Sequence, residues 1–227
     1  SWGWFGRDGA NDGMTAYVVY GLSVAKKSGL GVDKAAVTRG AEFLRGRMAS
    51  LRERSPLGRS PLPCDLDKRV YIVLALSEFE TAWGGATLAT KRLAGLLAGR
   101  DDERSATDEV MLAVACRRLG MTEEADRLAK RVEKRPLEDV ATAAFTLQLQ
   151  AERGGDVGDA LRFLLSRRQG KGWRTTIESA YAILGLSSLL ERAKPGDYAT
   201  PGRVTIDING KTTMLDLPSN ADPKFDG

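Results

Sequence analysis

Histidine is missing altogether from this chain of 227 residues, and cysteine occurs only at Cys64 and Cys116. Without histidine the sequence cannot form a Ser-His or Cys-His catalytic pair, and a principal zinc ligand is absent. The two cysteines make neither a CxxC motif nor a disulfide framework. We therefore expect no catalytic residue, no metal site and no cofactor, and we do not expect an enzyme.

Long hydrophobic runs and a strong charge imbalance are missing too. No stretch of about 18 apolar residues occurs, so the sequence predicts no membrane-spanning helix. The net charge is only +4, and the basic residues are spread along helices instead of being clustered with aromatic side chains as at a nucleic-acid surface. We expect neither membrane insertion nor nucleic-acid binding.

What the sequence does contain is a repeated apolar segment. Residues 16–23, AYVVYGLS, return with small changes as residues 70–77, VYIVLALS, and as residues 180–187, AYAILGLS. The second position of each copy is a tyrosine, and these are Tyr17, Tyr71 and Tyr181. Apolar helices that recur at long intervals are typical of an architecture made of repeated helical units.

Nine helical segments are predicted, of two alternating kinds. The odd-numbered segments are apolar on most sides and should be covered all round; they span about residues 13–28, 66–82, 106–119, 137–152 and 177–192. The even-numbered segments carry one apolar stripe and span about residues 33–54, 85–98, 121–133 and 156–168. This alternation favours an all-α fold with inner helices wrapped by outer ones, an α/α toroid. A solenoid of helix pairs is the alternative, and it would leave a concave face exposed.

Polar residues and glycines mark the ends of these helices. Thr175 and Glu178 fit a capping box, and Asp65 and Asp156 are predicted N-caps. Glycines free to adopt positive φ are expected at three helix C-termini, namely Gly29, Gly120 and Gly154.

The pattern changes after Pro195. Residues 203–208 alternate with a period of two, Asn209-Gly210 fits a two-residue turn, and residues 212–217 form the returning strand. We predict a β-hairpin that begins an adjoining β domain. The predicted domains are a helical one at residues 1–195 and the hairpin with its tail at residues 196–227.

Two acidic clusters resemble parts of magnesium-binding motifs. In the first, Asp65-Leu66-Asp67, lysine stands where a further aspartate is needed, and the second, Asp101-Asp102-Glu103, ends in Ser105. Diphosphate chemistry requires several carboxylates that converge on Mg²⁺. We interpret both clusters as helix caps or surface loops.

Aromatic residues precede the first and last helices. Trp2, Trp4 and Phe5 stand before the first helix and Trp173 before the last. They could form a shelf that binds a sugar or lipid. We favour packing instead, with each indole filling a gap between helices and its N–H donating to a loop carbonyl.

The order of these motifs resembles the thioester domain of the α2-macroglobulin and complement family. The similar parts are the turn and helix of residues 172–186, the earlier Gly3-Trp4-Phe5 turn followed by residues 15–22, and the strands after Pro201. The resemblance implies an α/α toroid that is partial here, because the chain opens inside a turn. It does not extend to the family's Cys-Gly-Glu-Gln thioester, since Cys64 precedes Asp-Leu-Asp and Cys116 precedes Arg-Arg-Leu.

The resemblance therefore predicts a fragment of a bacterial α2-macroglobulin-like protein that traps proteases. This fragment would be a structural and binding module with no thioester of its own. Its partners would be proteases or other domains of the parent protein, and its location the periplasm or cell exterior. The alternatives are a toroid enzyme of isoprenoid metabolism, of the prenyltransferase or terpene-cyclase kind, and a plain helical scaffold.

Overall fold

The computed structural model describes residues 2–3, 10–53, 68–99 and 104–192 and two later strands. The described part of the chain up to Arg192 is all-helical, and its helices are α1 Asp12–Lys27, α2 Lys34–Glu53, α3 Lys68–Trp83, α4 Leu88–Ala98, α5 Ala106–Arg118, α6 Thr122–Val132, α7 Val140–Arg153, α8 Gly158–Ser166 and α9 Thr176–Arg192. The strands are β1 Gly202–Ile208 and β2 Lys211–Leu217. They pair antiparallel, with Gly202 opposite Leu217.

Several helices begin at a polar side chain that accepts a backbone N–H. Asp139 accepts from the N–H of Thr142 at 2.7 Å, and Thr175 accepts from that of Glu178 at 3.1 Å, as predicted for Thr175. Asp156 is not the N-cap of α8. That position belongs to Val157, which makes no side-chain cap, while Asp156 accepts from the N–H of Gly158 inside the turn. Asp65 lies outside the described residues.

Three of the helices end as expected. The predicted glycines follow the last turns of α1, α5 and α7, and all three have positive φ: Gly29 at 84°, Gly120 at 74° and Gly154 at 70°. A residue with a Cβ adopts this conformation at a cost that glycine does not incur. These glycines let the chain reverse tightly between one helix and the next.

Each odd-numbered helix packs against the next odd-numbered one, in the order α1, α3, α5, α7 and α9. The even-numbered helices pack on the outside: α2 on α1 and α3, α4 on α3 and α5, α6 on α5, and α8 on α7. Most residues of α3, α5 and α7 are buried, ten in each helix. The sequence pattern thus identifies α3, α5 and α7 as deeply buried helices. We call the odd-numbered helices inner and the even-numbered helices outer.

The prediction that all odd-numbered helices are covered all round is wrong for α1 and α9. Tyr17 of α1 is 46 % exposed, and Ile183 and Leu190 of α9 are 57 % and 59 % exposed. Each of these two helices packs extensively against one odd-numbered helix, whereas α3, α5 and α7 each pack extensively against two. In the described part of the chain, one apolar face of α1 and one of α9 therefore remain exposed to solvent.

The inner helices α7 and α9 approach each other closely at Gly185. Gly185 is buried against the backbone of Ala144, and a Cβ built on Gly185 would lie 2.8 Å from the carbonyl oxygen of Ala144. Because only glycine leaves room for this approach, Gly185 fixes how closely the two helices pack.

Candidate functional site

The three repeat tyrosines converge on one cavity of about 270 Å³. The cavity lies where α1, α3 and α9 meet, and we call it the tyrosine groove. Its lining is almost entirely apolar apart from the tyrosine hydroxyls, and consists of Tyr17, Tyr20, Gly21, Val24, Tyr71, Ala180, Tyr181, Ile183 and Leu184.

Two phenols of the groove, those of Tyr20 and Tyr71, are held in their neutral form by raised pKa values. Burial raises the pKa of Tyr71 well above its ordinary value, and the neighbouring Tyr181 raises it further. The ring of Tyr71 also lies 6.4 Å from that of Tyr20, centroid to centroid. Among the described residues no carboxylate lines the groove. Their chemistry is that of an uncharged, aromatic-walled depression suited to an apolar side chain or ligand.

A buried ionic cluster lies beside the groove and is centred on Arg118, at the end of α5. Its guanidinium forms an ion pair with Glu78 of α3 and donates to Gln148 of α7 at 3.0 Å and to Glu152 at 3.2 Å. Lys27 of α1 donates to Glu78 at 2.8 Å. We call these five residues the Arg118 cluster; it joins all of the inner helices except α9.

The two central residues of the cluster, Glu78 and Arg118, are buried and carry opposite charges. The side chains of Glu78 and Arg118 are only 1 % and 8 % exposed. Burial, the largest single effect, lowers the pKa of Arg118, but Glu78, Tyr20 and Glu152 together outweigh it, and the net effect is a raised pKa. Arg118 also interacts with Tyr20, a groove residue whose own pKa is raised chiefly by burial. Arg118 is thus a permanent cation in the interior.

A second buried carboxylate connects three helices. Glu80 of α3 accepts from the N–H of Thr87 at 2.7 Å and from the hydroxyl of Thr90 at 2.6 Å, both at the start of α4. Arg45 of α2 donates to Glu80 at 2.8 Å. Through these hydrogen bonds Glu80 links α3 to the outer helices α2 and α4.

A third buried carboxylate is Glu109 of α5. It pairs with Arg131 of α6 at 2.5 Å and with Arg135, which follows that helix, at 3.4 Å. Like the other two carboxylates, Glu109 therefore joins an inner helix to its neighbours. In the described residues, no group of three or more His, Cys, Asp or Glu side chains is placed to hold a metal ion.

Of the four aromatic residues at the predicted turns, the structure describes Trp2 and Trp173, and these two lie against different helices. The indole N–H of Trp173 donates to the carbonyl of Leu164 in α8 at 2.9 Å, and its backbone N–H donates to Ser179 of α9. Trp2 instead sits on Gly40 of α2. Each tryptophan therefore packs against a different pair of helices.

Some predicted positions fall outside the described residues. These are Trp4, Phe5, Cys64 and the two acidic clusters at 65–67 and 101–103. Cys116 lies in the core of α5 as a free thiol, and burial raises its pKa to about 12. A thiol with so high a pKa is a poor nucleophile, in keeping with its interpretation as a small apolar side chain.

The tyrosine groove and the Arg118 cluster are absent from the predicted site residues. The repeat of Tyr17, Tyr71 and Tyr181 was the available signal for the groove. The cluster had no comparable signal, because Glu78 and Arg118 are polar residues near helix ends, where solvent exposure is the usual expectation.

Comparison with models of known protein families finds no match to this chain, and comparison with curated proteins finds none either. Within the described residues, no helix combines the length and apolar character needed to cross a membrane.

Proposed function

We propose that this chain is a non-catalytic structural and binding module built as part of an α/α toroid. The observation that carries this proposal is the tyrosine groove, because α9 meets α1 and α3 there. A solenoid would keep its first and last helices apart. The consecutive packing of the inner helices and the outer position of α2, α4, α6 and α8 also support a ring.

The proposed parent is a bacterial α2-macroglobulin-like protein that traps proteases in the periplasm or outside the cell. This assignment is supported by the resemblance of residues 172–186 and 15–22 to the family's thioester domain. In this proposal residues 1–195 are a partial toroid, and the paired strands β1 and β2 begin an adjoining β domain at residues 196–227. The module carries no thioester, and its partners are proteases or other domains of the parent protein.

The gene on either side of this segment offers a direct test of the family assignment. We expect β domains of the macroglobulin kind on both sides, and a Cys-Gly-Glu-Gln motif within about one helix pair upstream would add the thioester chemistry. A gene that encodes no such β domains would refute the assignment.

Trapping itself can be measured with the full-length protein and trypsin. A trapped protease still cleaves a small peptide amide but is shielded from a large substrate such as casein. We expect the protein to slow casein digestion and leave peptide cleavage unchanged. Equal rates with and without the protein would contradict the proposed role.

The alternative is a toroid enzyme that acts on an isoprenyl diphosphate, and the apolar lining of the tyrosine groove is the observation in its favour. Such an enzyme also needs carboxylates that bind Mg²⁺, and none of the described residues that line the groove is a carboxylate. Diphosphate release from farnesyl or geranylgeranyl diphosphate with Mg²⁺ would establish this alternative in place of the binding module.

A further inference from the structure

The last repeat demonstrates how one inner helix packs on the inner helix that precedes it. Tyr181 of α9 places its ring 5.2 Å, centroid to centroid, from that of Phe145 in α7. Four residues on, Gly185 lies against the backbone of Ala144. The tyrosine and the small residue of the repeat thus face an adjacent small and aromatic pair, Ala144 and Phe145.

The middle repeat shares part of this arrangement. Tyr71 of α3 faces Tyr20 of α1, and Ala75, which corresponds to Gly185, is completely buried. The tyrosine therefore faces the preceding inner helix in two of the three copies, and in the last copy the small residue faces it too.

The first repeat carries the same face with nothing packed on it in the described part of the chain. Tyr17, Gly21 and Val24 are spaced i, i+4 and i+7, so they share one side of α1. Tyr17 is about half exposed, and a Cβ on Gly21 would meet no atom within 4 Å. All three residues line the tyrosine groove, with Ile183 and Leu184 of α9 on its opposite wall.

We propose that this face of α1 binds one further apolar α-helix from a partner segment. The partner helix would carry a small residue followed by an aromatic one, as α7 does at Ala144 and Phe145, and would pack on Tyr17 and Gly21 as α7 packs on Tyr181 and Gly185. The groove is uncharged, which suits an apolar helix over an acidic or basic one. This inference rests on the proposed ring of inner helices and adds the kind of helix that would bind to it.

A synthetic peptide with the sequence of α7, residues 140–153, is the probe. It carries terminal lysines for solubility and a fluorophore, and its binding to the purified chain is followed by fluorescence anisotropy. We expect saturable binding that weakens at least about tenfold in Gly21→Leu, because a side chain at this position prevents the close approach of the two helices. Tyr17→Ala should weaken binding as well.

Gly46→Leu is the matched control. Gly46 lies in α2, is exposed, and also has no atom within 4 Å of an added Cβ, so the two leucine variants differ only in where the side chain is placed. We expect Gly46→Leu to bind the peptide like the unaltered chain. Circular dichroism of all variants establishes that each one is folded.

Absence of saturable binding, or equal affinity of Gly21→Leu and Gly46→Leu, would overturn the proposal. So would dimerisation of the chain that Gly21→Leu abolishes while no peptide binds, because the occupant would then be a second copy. Peptide binding and protease trapping are measured separately. Failure of trapping alone refutes the proposed function, and failure of peptide binding alone refutes the partner helix.

Discussion

Replacement of Arg118 by methionine removes the cation at the centre of the Arg118 cluster and keeps most of the aliphatic stem. Breaking a buried ion pair from one side costs about 3–5 kcal/mol, because the remaining charge has no counter-charge in the interior. Glu78 would keep one cation, since Lys27 donates to it at 2.8 Å. We therefore expect a loss near the lower limit, about 3 kcal/mol in the free energy of unfolding.

The assay is urea denaturation followed by circular dichroism at a helical wavelength. A double variant, Arg118→Met with Glu78→Gln, removes the stranded charge and should recover roughly 1–2 kcal/mol of the loss. Arg162→Met is the surface control. Its pair with Asp159 is 75 % and 84 % exposed, so its loss should stay below about 1 kcal/mol.

Two results would refute this reasoning about the cluster. The first is an Arg118→Met variant no less stable than the Arg162→Met control. The second is a double variant as unstable as Arg118→Met alone, because the cost would then come from lost packing and not from the stranded carboxylate.

Further predictions concern the α7–α9 contact, the buried thiol and an indole. Gly185→Ala should lower the free energy of unfolding by about 1–3 kcal/mol in urea titrations, because its Cβ would press on the α7 backbone. With Cys64 replaced by serine, Cys116 should not react with a thiol reagent at pH 8 until denaturant is added, since its pKa of about 12 leaves it protonated. Because that pKa lies above the roughly 8.5 of an unfolded cysteine, the thiol's contribution to stability should be complete below pH 8.5 and decline above it. Trp173→Phe should cost about 1 kcal/mol by loss of its indole hydrogen bond, measured as a shift of the urea midpoint.

These predictions can each fail in a recognisable way. An unchanged urea midpoint for Gly185→Ala would mean that the two helices separate easily. Rapid labelling of Cys116 in the folded chain would place the thiol in contact with solvent. An unchanged urea midpoint for Trp173→Phe would mean that water can replace the indole as the donor to the Leu164 carbonyl without loss of stability.

Much of the helical arrangement could be predicted because it depends on local patterns. Apolar residues on most sides of a segment identify α3, α5 and α7 as inner helices, and glycines such as Gly120 and Gly154 mark where helices end. Both signals concern the backbone and its neighbours within a few residues. Tertiary contacts were not needed to recognise them.

The candidate site depends on contacts between helices far apart in the sequence. The tyrosine repeat was visible, but the meeting of Tyr71 with Tyr181 follows from how α9 lies against α3. The sequence around Glu78 and Arg118 did not indicate that these residues are buried, because the partner that neutralises each charge is on another helix. For a related reason the apolar pattern of α1 and α9 did not locate their exposed faces, because such a pattern does not say how many neighbours a helix has.

The Arg118 cluster also has a consequence for how the molecule opens. Most helix contacts join elements that are close in the chain, and a protein built in that way can lose its terminal units one at a time. Arg118 instead reaches from α5 to Tyr20 in α1, Glu78 in α3 and Gln148 in α7. We expect the amide hydrogens of these four helices to exchange with solvent at similar free energies, as one cooperative unit, and those of α9 to exchange separately.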